Sequence, residues 1–412
     1  MTTNAPEPAP TVFITASVPM SVSEEAFVQD ELEAMRALGH PMVVVPIRRH
    51  CRSANAAAVS SGLASVTLGE QLLSLRVIAG ALLTLARSPI AVTRALWALL
   101  LRSGGRRNLL NNLASTPKAL WVAREVRRRR ATHVHSYWLG HTATVAWIAH
   151  KVTGVPWSGT GYRWDIDAEN LFAEKLPTAA FVRCADELGH ARLRVALLAH
   201  GSKSPLVLIR TGVQMPAPPD WVSLPVSATV VCCVGAFVPK KAQDLLVRAF
   251  APLRAEFSGA ELHLFGEGDC EPIIRGEVER LGLGEAVVFH GTVPLDELRS
   301  FLSGRPVTVL PSIVTTDGQQ EGIPVTLIEA MAHGSPVVST RTGSIPSLVT
   351  DGAGVLLEPG NVADITTALI AFARDPSAAD QLARTAYRRV QEEFDLSVTA
   401  ATLVDKISGA SP

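Results

Sequence analysis

Short apolar runs recur along the whole chain, separated by longer stretches of helical periodicity. Residues 11–17 (TVFITAS), 42–47 (MVVVPI), 132–138 (THVHSYW), 155–160, 181–184 and 206–210 read as a first set of strands. A helix opened by Ser23 or Glu24 runs to about residue 38, and further helices are predicted over 140–152 and 187–200. The pattern then restarts. Residues 228–236 (ATVVCCVGA), 261–265, 286–290, 307–311 and 336–340 form a second set of strands, with helices over 241–256, 271–282 and 294–303 between them. Strand–helix alternation of this kind predicts an α/β fold of two Rossmann-like, doubly wound parallel sheets. The stretch 213–225 (VQMPAPPDWVSLP) carries four prolines and reads as a linker. The expected division is 1–212, a linker at 213–226, a second domain over 227–385, and a final segment, 386–412.

The stretch 321–334, EGIPVTLIEAMAHG, stands out. Pro324 suits the first turn of a helix and Gly334 its end. Glu321 then lies in the entering loop and Glu329 on the helix, a climb of roughly 7–8 Å from Pro324. Free N–H groups near Gly322 and Ile323, at the positive end of the helix dipole, suit an anion such as a diphosphate. Two carboxylates beside an anion need hydroxyl donors, which a nucleotide sugar supplies at both ends. The plainer alternative is a capped core helix with both glutamates on a solvated face.

The 412 residues are enough for two domains, and 47% are apolar. Lys+Arg and Asp+Glu are both 38, which argues against a general nucleic-acid binder. Five cysteines without a C-x2-C pair suggest a reducing cytoplasm, not a disulfide framework or zinc site. Residues 1–10 are polar and proline-rich, unlike a signal peptide. No G-x-G-x-x-G follows the first strand, which counts against dinucleotide binding. His133, His135, His141 and His150 have no Cys or carboxylate at ligand spacing, and Asp165-Ile166-Asp167 is a three-letter match to a metal-chelating D-x-D.

Residues 69–107 are apolar and basic, with 77–86 the longest run without a charge, too short to cross a membrane. Arg76, Arg87 and Arg94 share a face if one helix continues through, but Ser88-Pro89 looks like a new start. With Arg127–Arg130, these arginines form either an interfacial patch for anionic lipid or the solvated side of helices packed on a sheet.

Glu-x7-Glu within 321–340 resembles the signature of retaining glycosyltransferases of family 4, which have the GT-B architecture: two Rossmann-like domains facing across a cleft, with the last helix returning to the first domain. Residues 18–48 resemble the N-terminus of colanic-acid/exopolysaccharide-type members, which makes Ser23 and Glu25 acceptor-side candidates. CVGAFVPKKAQDLLVRAF resembles the family's glycine turn and basic pattern. The resemblance implies that Gly235 lets backbone approach the donor and that Lys241 neutralises the diphosphate. It also implies that Glu321 meets the hexose, Glu329 the ribose, Gly322 and Ile323 the phosphate or sugar, and Gly291 and Val293 the base. Three positions depart from the family pattern: Ala236 replaces an arginine, Tyr162 a histidine in the cleft, and Ser347 a carboxylate. Lys240, at a helix start, is expected to point away, leaving Arg163 and Arg341 as substitute cations. The implied activity is hexosyl transfer from a nucleotide sugar to a carbohydrate, lipid-linked or small-molecule acceptor, without a metal or other cofactor and without nucleic acid. The expected place is the cytoplasm, with peripheral membrane contact under the first reading of the arginines. The alternative is an inactive GT-B protein that binds nucleotide sugar. A phosphorylase of the same architecture would need a cofactor-binding lysine motif that the sequence lacks.

Overall fold

The computed structural model describes residues 9–18, 26–48 and 62–411. The chain forms two compact units, Met1–Gly212 with Leu396–Pro412, and Val213–Asp395.

The first unit is built on a six-stranded parallel sheet in the order β2-β1-β3-β4-β5-β6. The strands are β1 Thr11–Thr15, β2 Met42–Pro46, β3 His133–Tyr137, β4 Trp157–Gly161, β5 Phe181–Cys184 and β6 Leu206–Leu208. All but β6 are buried along their whole length, as a parallel sheet covered on both faces requires. His133 and His135 belong to this interior. His135 is held 2.7 Å from Ser158 Oγ and 2.9 Å from Thr160 Oγ1, and His133 Nε2 lies 2.7 Å from the same Ser158 hydroxyl. Burial pushes His133 down to about 3 and His135 well below its ordinary value, so both rings are neutral parts of the sheet.

A buried ion pair ties the helix Ala26–Ala37 to the sheet. The Arg183 guanidinium donates two 2.7 Å bonds to the two Glu31 oxygens, and the Tyr137 hydroxyl donates a third, at 2.6 Å. Arg183 also donates to the Ile209 and Arg210 carbonyls, so one side chain joins β5 to the chain leaving β6. The helix Leu396–Gly409 packs beside Ala26–Ala37, with Ala400, Leu403 and Ile407 fully buried.

The second unit has its own six-stranded parallel sheet, β12-β11-β10-β7-β8-β9. Its strands are β7 Ser227–Val234, β8 Glu261–Phe265, β9 Val287–Gly291, β10 Pro306–Leu310, β11 Val337–Thr340 and β12 Val355–Leu357. The edge strand β12 was not expected. The stretch expected to be a linker packs onto this unit instead. Trp221 lies between the guanidinium groups of Arg305 and Arg384, 4.4 and 4.7 Å from its ring, and edge-on to Tyr387. The final segment also begins later than residue 386. The helix Pro376–Glu393, capped by Asp375, buries Ala379, Ala383, Ala386 and Val390 within the second unit, and only residues from Leu396 join the first.

Arg183→Met should strand the Glu31 carboxylate and cost about 3–5 kcal/mol in urea unfolding. Glu31→Met with Arg183→Met should recover most of that loss. A double variant as unstable as the single would show that the pair contributes more than mutual neutralisation.

Candidate functional site

The order in which strands are added to the second sheet reverses at its centre. From β7 the chain proceeds through β8 to β9, then crosses back to β10 on the other side of β7. Loops leaving the carboxyl ends of β7 and β10 therefore part, and such a switch point is where open α/β sheets seat ligands. The loop after β7 holds Gly235, Lys240 and Lys241, and the loop after β10 leads to Glu321.

Glu321 is 5% exposed, and its two oxygens face two cations. Lys241 Nζ stands 3.2 Å from Oε1 and Lys240 Nζ 3.6 Å from Oε2. The expectation that Lys240 points away is thus corrected. No α-helix begins at Lys241. Pro239–Lys241 is a single 3₁₀ turn, Ala242 follows with φ +51°, and the helix starts at Gln243. In so tight a turn both lysines reach one carboxylate. The turn is pinned by Ile313, whose amide donates 2.9 Å to the Lys240 carbonyl.

Gly235 sits at the mouth of β7 with φ +154°, and a Cβ there would lie 3.1 Å from Lys241 Cε. Its hydrogen gives the lysine stem room to cross the turn. Gln243, a residue that no motif marked, is buried and donates from Nε2 to the Gly235 and Ala236 carbonyls at 3.3 and 3.1 Å. Gly291 ends β9 and accepts the Gly266 amide at 2.8 Å, while Val293 packs half-buried against the core. Both contribute backbone and apolar surface, not charge.

Pro324 stands one position outside the helix Val325–Ala332, as its N-cap. Among the described residues the amides of Gly322 and Ile323 donate to no protein acceptor. Gly343 supports this loop from below. Its amide donates to Gln320 Oε1 at 3.1 Å, and a Cβ at its φ of +53° would fall 1.8 Å from the Glu321 carbonyl oxygen. No other residue fits there.

Glu329 is buried on the helix and held by Arg299, which donates to Oε1 at 2.9 Å and to Oε2 at 3.3 Å. Arg299 was missed, because no spacing rule connects it to a glutamate on the far side of β10. Arg341, one of the expected substitute cations, pairs with Glu358 on the surface, while the side chain of Arg163 lies outside the described part.

In the first unit Tyr162 packs against Trp138 and Phe27, with ring centroids 4.6 and 5.3 Å away. Ser23 and Glu25 lie outside the described residues. Asp165 and Asp167 do not converge as D-x-D ligands would. Asp165 accepts the Leu139 and Tyr162 amides, and burial raises it to about 7, whereas Asp167 pairs with Arg192.

Residues 222–389 match the family described as glycosyl transferases group 1. A putative colanic acid biosynthesis glycosyltransferase, WcaL, of Salmonella typhimurium is 35% identical over 164 residues, 39% of this chain and 40% of that protein. A GDP-mannose-dependent alpha-(1-6)-phosphatidylinositol monomannoside mannosyltransferase of Mycolicibacterium smegmatis is 31% identical over 182 residues, 44% and 48% of the two chains. The matched stretches thus span less than half the length of these relatives. In fold the chain is similar to Anabaena Alr3699/HepE, solved in complex with UDP-glucose, with a TM-score of 0.68 at 16% identity over 97% of this chain and 99% of that one. The match to the group 1 glycosyl transferases thus lies in residues 222–389, and the two doubly wound units of the chain are those of the GT-B fold.

Proposed function

We propose that the protein is a retaining glycosyltransferase that moves a hexosyl group from a nucleoside-diphosphate sugar to an acceptor hydroxyl. The observation that carries this reading is the pair of lysines converging on Glu321 at the switch point, beside the amides of Gly322 and Ile323. A glycosyl donor already has its leaving group; what transfer needs is a seat for the charge that grows on the departing phosphate. Lys241 supplies it with Lys240, which takes the place of the arginine missing at Ala236. Glu321 then accepts hydrogen bonds from hexose hydroxyls, and Glu329, oriented by Arg299, accepts them from the ribose. Gly235 gives the phosphates room at the turn, and the chain around Gly291 and Val293 borders the base. In the transfer step the bond from the anomeric carbon to the phosphate oxygen breaks. The acceptor oxygen bonds to that carbon from the same face, and its proton passes to the departing phosphate. No covalent sugar–enzyme bond forms, so Glu321 is not a nucleophile. The names of the relatives support a carbohydrate or lipid-linked acceptor, with Tyr162 of the first unit on the acceptor side.

Release of nucleoside diphosphate from a panel of nucleotide sugars tests the activity. A protein that binds a donor but turns over none would instead be a nucleotide-sugar-binding protein. With the active donor, Lys241→Ala should lower kcat about 10²–10³-fold, and more than it lowers donor affinity. Lys240→Ala should lose a smaller factor, and Ala236→Arg should restore part of the rate to either variant. Normal turnover in both lysine variants would remove the phosphate seat from this turn. Two ammonium groups also supply the charge that a divalent ion supplies elsewhere, so turnover should survive a chelator, and a loss that magnesium restores would count against the scheme.

The two carboxylates should separate in calorimetry. Glu329→Ala should weaken free nucleoside diphosphate. Glu321→Ala should weaken the intact sugar donor and leave the free diphosphate nearly unchanged. Equal losses for both ligands in both variants contradict the assignment.

A further inference from the structure

The helices Leu75–Arg87 and Pro89–Arg102 each carry two apolar stripes. One stripe is internal: Val77, Gly80, Ala81 and Thr84 on the first helix, Val92, Ala95 and Leu99 on the second. It packs so closely that a Cβ at Gly80 would lie 2.6 Å from Trp121 Cδ1. The other stripe faces outward. Leu75, Leu82, Ile90, Trp97 and Leu101 are between 58% and 86% exposed. Leu75 and Leu82 are seven apart on the first helix, Ile90, Trp97 and Leu101 seven and four apart on the second, and the packing of the first unit leaves them uncovered. Solvent-facing apolar residues in such number on one element mark a binding surface.

Positive charge dominates around the stripe, although Arg76 pairs with Glu70 and Arg102 with Glu174. Between Glu70 and Glu125 the chain has no acidic residue, while Arg76, Arg87, Arg94, Arg102, Arg106 and Arg107 lie on or next to the two helices. The helices meet at a bend of 111° at Ser88, so Arg76 and Arg87 belong to one helix and Arg94 to the other. Below Arg87 opens a cavity of about 270 Å³ lined by Leu83, Thr84, Arg87, Arg124, Arg127 and Arg128. One carboxylate, Glu125, pairs with Arg124 and Arg128 at 3.1 and 2.7 Å. Four guanidinium groups at one opening, with an apolar stripe beside it, match the two chemistries of an anionic phospholipid, a phosphate next to an acyl chain.

We propose that this surface docks the protein on a membrane containing anionic phospholipid, with the two helices lying in the interface plane and the arginine cavity taking a headgroup phosphate. Among the described residues no single helix is long and apolar enough to cross a membrane. The inner stripe is committed to the first unit, which favours lying on the surface over spanning.

The full-length protein is mixed with vesicles of phosphatidylglycerol and phosphatidylcholine in equal parts, or of phosphatidylcholine alone, at low and high salt. It should sediment with the anionic vesicles at least about tenfold better than with the neutral ones, and less at high salt. Lipid brominated on its acyl chains should quench part of the tryptophan emission, and Trp97→Phe should lose that part. Arg87→Gln and Arg124→Gln should each weaken partition about fivefold. Leu82→Gln with Leu101→Gln should weaken it more than about tenfold while leaving the unfolding temperature unchanged, since both side chains are exposed. Three results would overturn the proposal. The first is no sedimentation with anionic vesicles at low salt. The second is binding of inorganic phosphate to the arginine cavity without vesicle binding. The third is a dimer that Leu82→Gln breaks and that leaves vesicles alone.

Discussion

Two parallel strands side by side at the centre of a sheet cannot be joined by a short turn. The chain must cross over each time, and where the crossings change direction the loops part. In the second unit that place lies between β7 and β10, whose registers pair Val307 with Val231 and Thr308 with Cys232. β10 and the carboxyl-terminal half of β7 are buried, so they can do little chemistry themselves. They fix instead where two polar loops begin. Lys240 and Lys241 approach Glu321 because the strands below them are locked in register, although the residues stand far apart in sequence. The seat for charge follows from the topology, and its details follow from a 3₁₀ turn, a buried glutamine and a glycine against a carbonyl.

The seat joins one buried carboxylate to two ammonium groups, a local excess of positive charge. A carboxylate as buried as Glu321 is tolerated beside two ammonium groups that offset its loss of hydration. Under the proposed function, a diphosphate would give the lysines a second partner and leave Glu321 to accept from neutral hydroxyl donors. Glu329 differs in kind. Its bidentate guanidinium partner is permanent and comes from within the fold, so it keeps a fixed orientation and spare lone pairs. In the proposed reaction one glutamate would exchange partners and the other hold still, as a ligand that reacts at one end and only binds at the other would require.

Most of the fold was legible because buried parallel strands are written as apolar runs, and 261–265 and 181–184 fall on β8 and β5 without adjustment. What was missed had weak local signals. β12 has three half-buried residues, too few for a pattern. Residues 213–225 read as a linker because proline dominates them, yet Trp221 anchors them through two arginines distant in sequence, Arg305 before β10 and Arg384 on the helix Pro376–Glu393. Lys240 was misjudged because a proline followed by two lysines reads as the first turn of an α-helix, and a 3₁₀ turn aims its side chains differently. Arg299 had no local signal at all, since its partner is reached only through the sheet.

The two units divide the polar and apolar demands between them in a physically reasonable way. The second unit concentrates opposite charges at one switch point. The first buries the ion pair of Arg183 with Glu31 and sets Arg87, Arg94, Arg106 and Arg107 on or next to the helices of the uncovered apolar stripe. Those arginines contribute little to folding, because exposed charges are screened and most face water. Nor does the outward stripe, which buries nothing in the unit itself. A helix pair whose inner stripe already satisfies the core has no folding reason for a second one, so the outer leucines and Trp97 are better explained by something the chain meets than by the chain itself.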